Sequence, residues 1–261
     1  MHDKWRNHHL LLLGSMIVAS SSGIAHAQGE QSGQTTSKLF EIFKSCGVAT
    51  LSLGPVWGSF GNTQTFYLAP DTEKTFTANN TSHALVDGEI FLGLQRPLGE
   101  KLAGQIGLAV ARTGNTSMSG DIWDDADSQF DNYTYHYQVR HTRLALKGKV
   151  LIDIGYIVMP WVGGSLGVGF NQAHDFSNTP TISEAVVMPN FTSNTTTSFT
   201  YTLGAGVQVH LSRHWEAGVG YEFADWGKSQ LGRASGQILN NGLSLSHFYT
   251  NGFLLNLTYL A

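Results

Sequence analysis

The sequence predicts an all-β chain: an eight-stranded antiparallel up-and-down transmembrane β-barrel with short periplasmic turns and long extracellular loops. Three observations predict it. Apolar residues recur at every second position over eight long segments. The connections between those segments alternate between short and long. After residue 27, no apolar run reaches the ~18 residues that a membrane helix needs.

Composition narrows the class. Charged residues are 13% of the chain, about half the usual ~25%. Glycine is abundant, at 30 of 261 residues. The net charge of −4 argues against a nucleic-acid partner, which calls for a basic face. The one cysteine, Cys46, has no partner for an internal disulfide and reads as a small, half-buried apolar residue.

Residues 1–27 read as a cleavable signal peptide. "MHDKWRNHH" carries Lys4 and Arg6, "LLLLGSMIVA" is a short apolar core, and Ala25-His26-Ala27 is a small-x-small cleavage pattern. Residues 28–46 read as a polar periplasmic tether, and residues 47–261 as the barrel domain.

Eight segments are expected within it. They are about 48–59, 83–96, 102–113, 134–150, 158–171, 199–211, 215–226 and 247–260. "FTYTLGAGVQVHL" is the clearest. Phe199, Tyr201, Leu203, Ala205, Val207, Val209 and Leu211 share one face; Thr200, Thr202, Gly204, Gly206, Gln208 and His210 share the other. The fourth segment contains a parity conflict. Tyr133, Tyr135, Tyr137 and Val139 are odd-numbered, whereas Leu144 and Leu146 are even. Either a bulge intervenes or the tyrosines stand above the membrane, where facing is free; the second is preferred. Short connections fall at 97–101, 152–156 and 212–215. Long ones fall at about 60–82, 114–133, 172–198 and 227–246, unusual lengths for structureless loops in a compact soluble domain.

Alternation alone does not separate a barrel in water from a barrel in lipid. The polar faces consist mainly of Thr, Ser, Gly, Ala and Gln, too poor in charge for a water-facing surface. The segments reach the ~9–11 residues that span a bilayer. Aromatics gather at segment ends as interfacial girdles do: Trp57, Phe199, Tyr201 and Tyr249 at the long-loop end, Trp215 and Tyr259 at the short-turn end. The apolar faces therefore point outward, to lipid, and the last strand, "FLLNLTYLA", closes on the first.

This arrangement resembles the eight-stranded OmpA/OmpX-type outer-membrane barrels and is similar to the opacity-type surface proteins, over roughly 47–261. The resemblance implies the bacterial outer membrane of a Gram-negative envelope as location. It also implies outer-membrane lipids and lipopolysaccharide as surroundings, and the barrel-assembly machinery as a partner that reads the C-terminal strand. Here the terminal aromatic is Tyr259, with Leu260 and Ala261 after it.

The few inward charges are expected to form a structural network in the lumen: Asp87, Glu89, Arg143, Lys147, Glu216 and Glu222. Buried charges are costly unless paired, so Arg143 is expected to pair with Glu89 or Glu222. A gated polar pathway for small solutes is the alternative. His210, Ser212 and Glu222 superficially match the His-x-Ser…Glu triad of lipid A deacylases, which are also eight-stranded barrels. The expected position of His210 and Ser212 at the short-turn end argues against it, because an enzyme acting on outer-leaflet lipid needs its triad at the lipid-facing outer rim. The acidic loop residues Asp121, Asp124, Asp125, Asp127 and Asp131 lack calcium-loop spacing. No cofactor, metal or catalytic residue is expected. The preferred function is a non-enzymatic structural or adhesin-like surface role through the extracellular loops, with an extracellular or host ligand. A narrow porin-like channel is the alternative, and a lipid A-modifying enzyme the weakest reading.

Overall fold

The computed structural model describes residues 46–59, 61–79 and 83–261. The expected signal peptide, and the tether except Cys46, lie outside the described residues. Among the described residues thirteen strands follow in order. They are β1 (Cys46–Ser59), β2 (Gln64–Ala69), β3 (Thr72–Phe76), β4 (His83–Pro97), β5 (Leu102–Thr113), β6 (Thr116–Asp124) and β7 (Asp131–Ile152). After them come β8 (Val158–Pro180), β9 (Asn194–His210), β10 (Trp215–Asp225), β11 (Ser229–Gln230), β12 (Ser244–Leu245) and β13 (Tyr249–Leu260). Eight of them, β1, β4, β5, β7, β8, β9, β10 and β13, close into an antiparallel ring. The expected fold is present. Among the described residues no helix is long and apolar enough to cross a membrane.

The register sets the geometry. From Val56 the paired residues lead through Gly252, Glu222, Gly204, Gly163, Lys149, Gln105 and Gln95 to Cys46. That is ten residues back along β1, from 56 to 46. A shear of ten over eight strands tilts the strands by about 41°. The ladder closes between β1 and β13, with Leu51 opposite Leu257 and Val48 opposite Leu260. The two residues after Tyr259 complete this seam. Leu260 packs toward Val48, Phe91 and Ala109, and the Ala261 amide donates to the Gly47 carbonyl at 2.9 Å.

Outward positions on the ring are apolar and exposed: Leu51, Ile90, Leu108, Leu146, Leu166, Leu203, Val219 and Leu255 among them. A soluble monomer rarely exposes a contiguous apolar patch beyond a few hundred Å², so a continuous belt of this kind identifies hydrocarbon as its solvent. Tyr249 and Tyr259 bound the belt on β13. Ten residues at ~3.3 Å, tilted by about 41°, span about 25 Å along the axis, the height of a membrane-barrel apolar band.

The long connections are not structureless. The first holds the β2–β3 hairpin, the second holds β6 and a short 3₁₀ turn (Ser128–Phe130), and the fourth holds the β11–β12 ladder. Strands β7 and β8 also continue well past their expected ends. The lower half of β7 pairs with β5 and its upper half with β6. Strand β3 adds to β6, and β2 to β3. The wall of the barrel thus rises above the apolar belt as a folded cap.

The tyrosine stretch corrects one expectation. Its facing is not free. Tyr133, Tyr135, Tyr137, Val139, His141 and Arg143 all point inward and are buried, whereas Leu144 and Leu146 point outward. Strand β7 keeps one parity throughout; what changes is its surroundings. In the membrane the inside is polar and the outside apolar. In the cap the inside becomes an apolar core of Phe76, Ile122, Tyr135, Phe176, Phe191 and Leu243. The bulge lies on the neighbour instead: the β7–β8 register shifts between His136 and Gln138, where Asp175 takes a left-handed φ of 56°. That extra residue moves the inward parity of β8 from Ala173 to Phe176.

Candidate functional site

The lumen is filled in layers. Arg143, fully buried, donates from Nη2 to Glu89 Oε2 at 2.8 Å and to Glu222 Oε1 at 2.7 Å. Lys147 Nζ bridges the same two carboxylates, 2.5 Å from Glu89 Oε1 and 3.0 Å from Glu222 Oε2. Three ring strands supply these groups through inward-facing positions, β4 giving Glu89, β7 the two cations and β10 Glu222. Two cations and two carboxylates alternate, so each buried charge has opposite charges beside it. Asp87 lies on the same inward face of β4, one inward position further from the short turns, and is buried with Oδ1 unpartnered among the described residues.

Glu216 does not join this network. It sits in a second layer nearer the short turns, accepting from Gln208 Nε2 at 2.6 Å, with His210 Nδ1 3.0 Å from its other oxygen. Lys149 donates to Gln208 at 2.5 Å, and its ammonium lies 4.6 Å from the ring centre of Trp161. Trp161 was not singled out in the sequence. It occupies an inward position on β8, and its indole fills space left by glycines: a Cβ on Gly220 would come 2.3 Å from Cζ2. Between the layers remains a cavity of about 30 Å³, touching Thr50, Ser52, Lys147, Trp161 and Asn256. That is room for water.

Above Arg143 the lumen is lidded. Trp226, fully buried, has its ring centre 4.6 Å from the Arg143 guanidinium carbon and donates from Nε1 to Thr250 Oγ1 at 2.9 Å. Asn171 Nδ2 donates to the Trp226 and Lys228 carbonyls at 2.7 and 2.8 Å. His141 stacks on Phe248, centroids 4.2 Å apart and planes within 6°. These contacts pin the fourth connection into the barrel mouth. Only parity hints at His141, Asn171, Trp226 and Phe248, which all continue the inward series of their segments.

The cap has its own packing. Phe191 meets Phe176 at 4.8 Å and Phe76 at 5.5 Å, and Phe66 stacks on Phe76 at 5.1 Å. Tyr135 donates from its hydroxyl to the Thr77 carbonyl at 2.7 Å, and burial pushes that hydroxyl's pKa upward, so it stays a donor. A cleft of about 320 Å³ opens beside this core, lined by Leu68, Phe76, Phe176, Met188, Phe191 and Ala234. Its polar lining includes Ser235 and Gln237, while exposed Val186, Val187 and Ile238 lie on the same connections. Within the acidic connection, Asp124 is bound by Lys74 and by Asn132, the latter at 2.7 Å.

The girdle residues divide as their positions suggest. Trp57, Phe199, Tyr201 and Tyr249 sit at the long-loop end, and Tyr201, Phe223 and Tyr249 follow one another at 6.2 and 5.8 Å. Trp215 and Tyr259 meet edge to face at 5.2 Å at the other end. The triad-like residues do not converge. Glu222 is bound to Arg143 and Lys147, His210 pairs with Glu216, and Ser212 Oγ accepts from the His214 and Trp215 amides within its turn.

A closed eight-strand ring with a lipid-type exterior defines a transmembrane β-barrel of the bacterial outer-membrane class. No protein-family model matches the chain, and no curated protein matches it. Several solved structures are similar. Neisserial surface protein A is 10% identical, with a TM-score of 0.44, over 82% of this chain and 96% of that one. The outer-membrane protease OmpT from Escherichia coli is 9% identical, with a TM-score of 0.46, over 83% and 97%. OprG from Pseudomonas aeruginosa is 12% identical, with a TM-score of 0.41, over 83% and 97%. The class assignment rests on the chain's own ring and exterior.

Proposed function

We propose that this chain is a non-enzymatic outer-membrane barrel with a structural and surface-interaction, adhesin-like role, in which the cap is the recognition element. The observation that carries the reading is the cap itself. It is a folded extension of the barrel wall with an aromatic core and an open apolar cleft of about 320 Å³, within the size range of ligand sites. Recognition on rigid scaffolds is usually assigned to such segments. The cleft suits an apolar or aromatic group of an extracellular ligand. The lumen serves as a structural plug, its Arg143, Lys147, Glu89 and Glu222 charges paired and its mouth lidded by Trp226 and Phe248. The surrounding lipid is outer-membrane lipid and lipopolysaccharide, and the seam strand β13 is the part offered to the barrel-assembly machinery.

The test compares cells displaying the intact chain with cells displaying a chain whose first, third and fourth connections are replaced by short turns. Binding is measured to cultured epithelial cells and immobilised matrix proteins. Loss of binding with the ring still folded is expected; equal binding by both would overturn the reading. Steady single-channel conductance by the intact chain, altered by Arg143→Ala, would favour the channel instead.

A further inference from the structure

The outer wall formed by β5, β7 and β8 changes character at one height. On β5 the outward residues Ile106, Leu108 and Val110 are exposed, and the next outward residue is Arg112. On β7, Leu146 and Leu144 give way to Thr142 and Arg140. On β8, Val168 and Phe170 give way to Gln172. Arg112 lies opposite Thr142, and Arg140 opposite Gln172. The two arginines are therefore diagonal neighbours on one face, about 7–8 Å apart at their base, well within the reach of long side chains.

Neither has a carboxylate partner. The Arg112 guanidinium makes no hydrogen bond or ion pair among the described residues, and Arg140 makes a single one, from Nη2 to Gln172 Oε1 at 2.5 Å. On the adjoining stretch of β8, Asp175 is engaged by His174 Nδ1 at 2.8 Å. Asp87, on the strand beside β5, is buried facing the lumen. The paired register, at a tilt of about 41°, places Arg112 roughly 4–6 Å below the upper-girdle residues Trp57, Phe199 and Tyr249. Arg140 falls slightly above them. Two unneutralised cations side by side repel, and the guanidinium fork matches phosphate oxygens.

We infer that Arg112 and Arg140 together bind the phosphate of an anionic lipid headgroup in the leaflet on the long-loop side. The site follows from depth, charge and register, and stands apart from any ligand of the cap. An annular lipid held there would be fixed at the junction of belt and cap.

The test uses the full chain in detergent and native mass spectrometry, with bisphosphorylated lipid A and its dephosphorylated form as probes. The wild type is expected to retain the bisphosphorylated form selectively. The Arg112→Gln/Arg140→Gln double variant is expected to retain it about thirtyfold less, as two interfacial cations would supply, whereas Arg112→Lys/Arg140→Lys keeps most of it. Heat-modifiable gel mobility confirms that each variant is folded. Equal retention by wild type and the Gln variant, or an equal loss in an Arg233→Gln control, would overturn the site. Displacement of the lipid by millimolar inorganic phosphate would also overturn it, revealing a free-anion site.

Discussion

Below the upper girdle and above it, the same strands obey opposite rules. In the membrane, β7 turns Leu144 and Leu146 outward and Arg143 and Lys147 inward. In the cap, it turns Tyr133, Tyr135 and Tyr137 inward and Thr134, His136 and Gln138 outward. From Tyr133 to Ile152 no residue is skipped along β7. The outer solvent changes from hydrocarbon to water, and the polarity of the interior changes with it. The lower part pairs Arg143 and Lys147 with Glu89 and Glu222, and the upper part excludes water with aromatic rings. His141, Trp226 and Phe248 form the boundary between the two.

Substitutions should separate these regimes. The largest effect is expected for Arg143→Met, which leaves Glu89 and Glu222 sharing only Lys147. Breaking a buried ion pair costs about 3–5 kcal/mol, and urea unfolding in lipid vesicles should show the whole ring destabilised. Phe76→Ala opens the cap core and should cost about 3 kcal/mol there. The cap should become sensitive to protease added outside cells while the ring stays heat-modifiable; loss of both together would mean that the two regions are not separable.

Leu108→Arg, near the middle of the belt, should cost roughly 2–4 kcal/mol. Val186→Arg, 79% exposed in the cap, should stay within about 0.5 kcal/mol. Equal costs would contradict the change of solvent. A modest effect is expected at the seam. Thr50→Val removes the buried 2.9 Å hydroxyl contact with Thr258, a loss of about 1 kcal/mol, read as a lower urea midpoint without a change in slope.

The lower region was legible in the sequence because two solvents act on it at once. Lipid outside and a packed polar lumen inside impose a strict period of two, so all eight segments and their outward faces can be read. The charge network was partly legible for a related reason. With so few charged residues, those at inward positions on neighbouring strands have few alternatives, and Arg143, Glu89, Glu222 and Lys147 meet. Glu216, six residues below Glu222 on β10, joins the Gln208–His210 layer instead.

The cap was not legible. Its strands carry apolar residues on the inward parity, which reads as a conflict when lipid is assumed outside. The bulge at Asp175 switches parity in β8 without a glycine to mark it. Trp226 and Phe248 continue the inward parity of their segments, but as large aromatics they break the polar pattern of the lumen, so only tertiary packing determines their place. The arginine pair on the outer wall was invisible because it depends on cross-strand register, which single segments do not contain.

The continuity of β7 across the girdle is tested most directly by a cysteine and spin-label scan from 133 to 150 in a Cys46→Ala background, in lipid bilayers. Accessibility to oxygen and to a water-soluble nickel chelate is measured at each position. Odd positions should be shielded from both reagents throughout. Even positions should favour oxygen at 144 and 146 and the nickel chelate at 134, 136 and 138. Odd positions from 133 to 139 open to the nickel chelate, or a reversal of parity within β7, would contradict a strand that keeps one facing while its solvent changes.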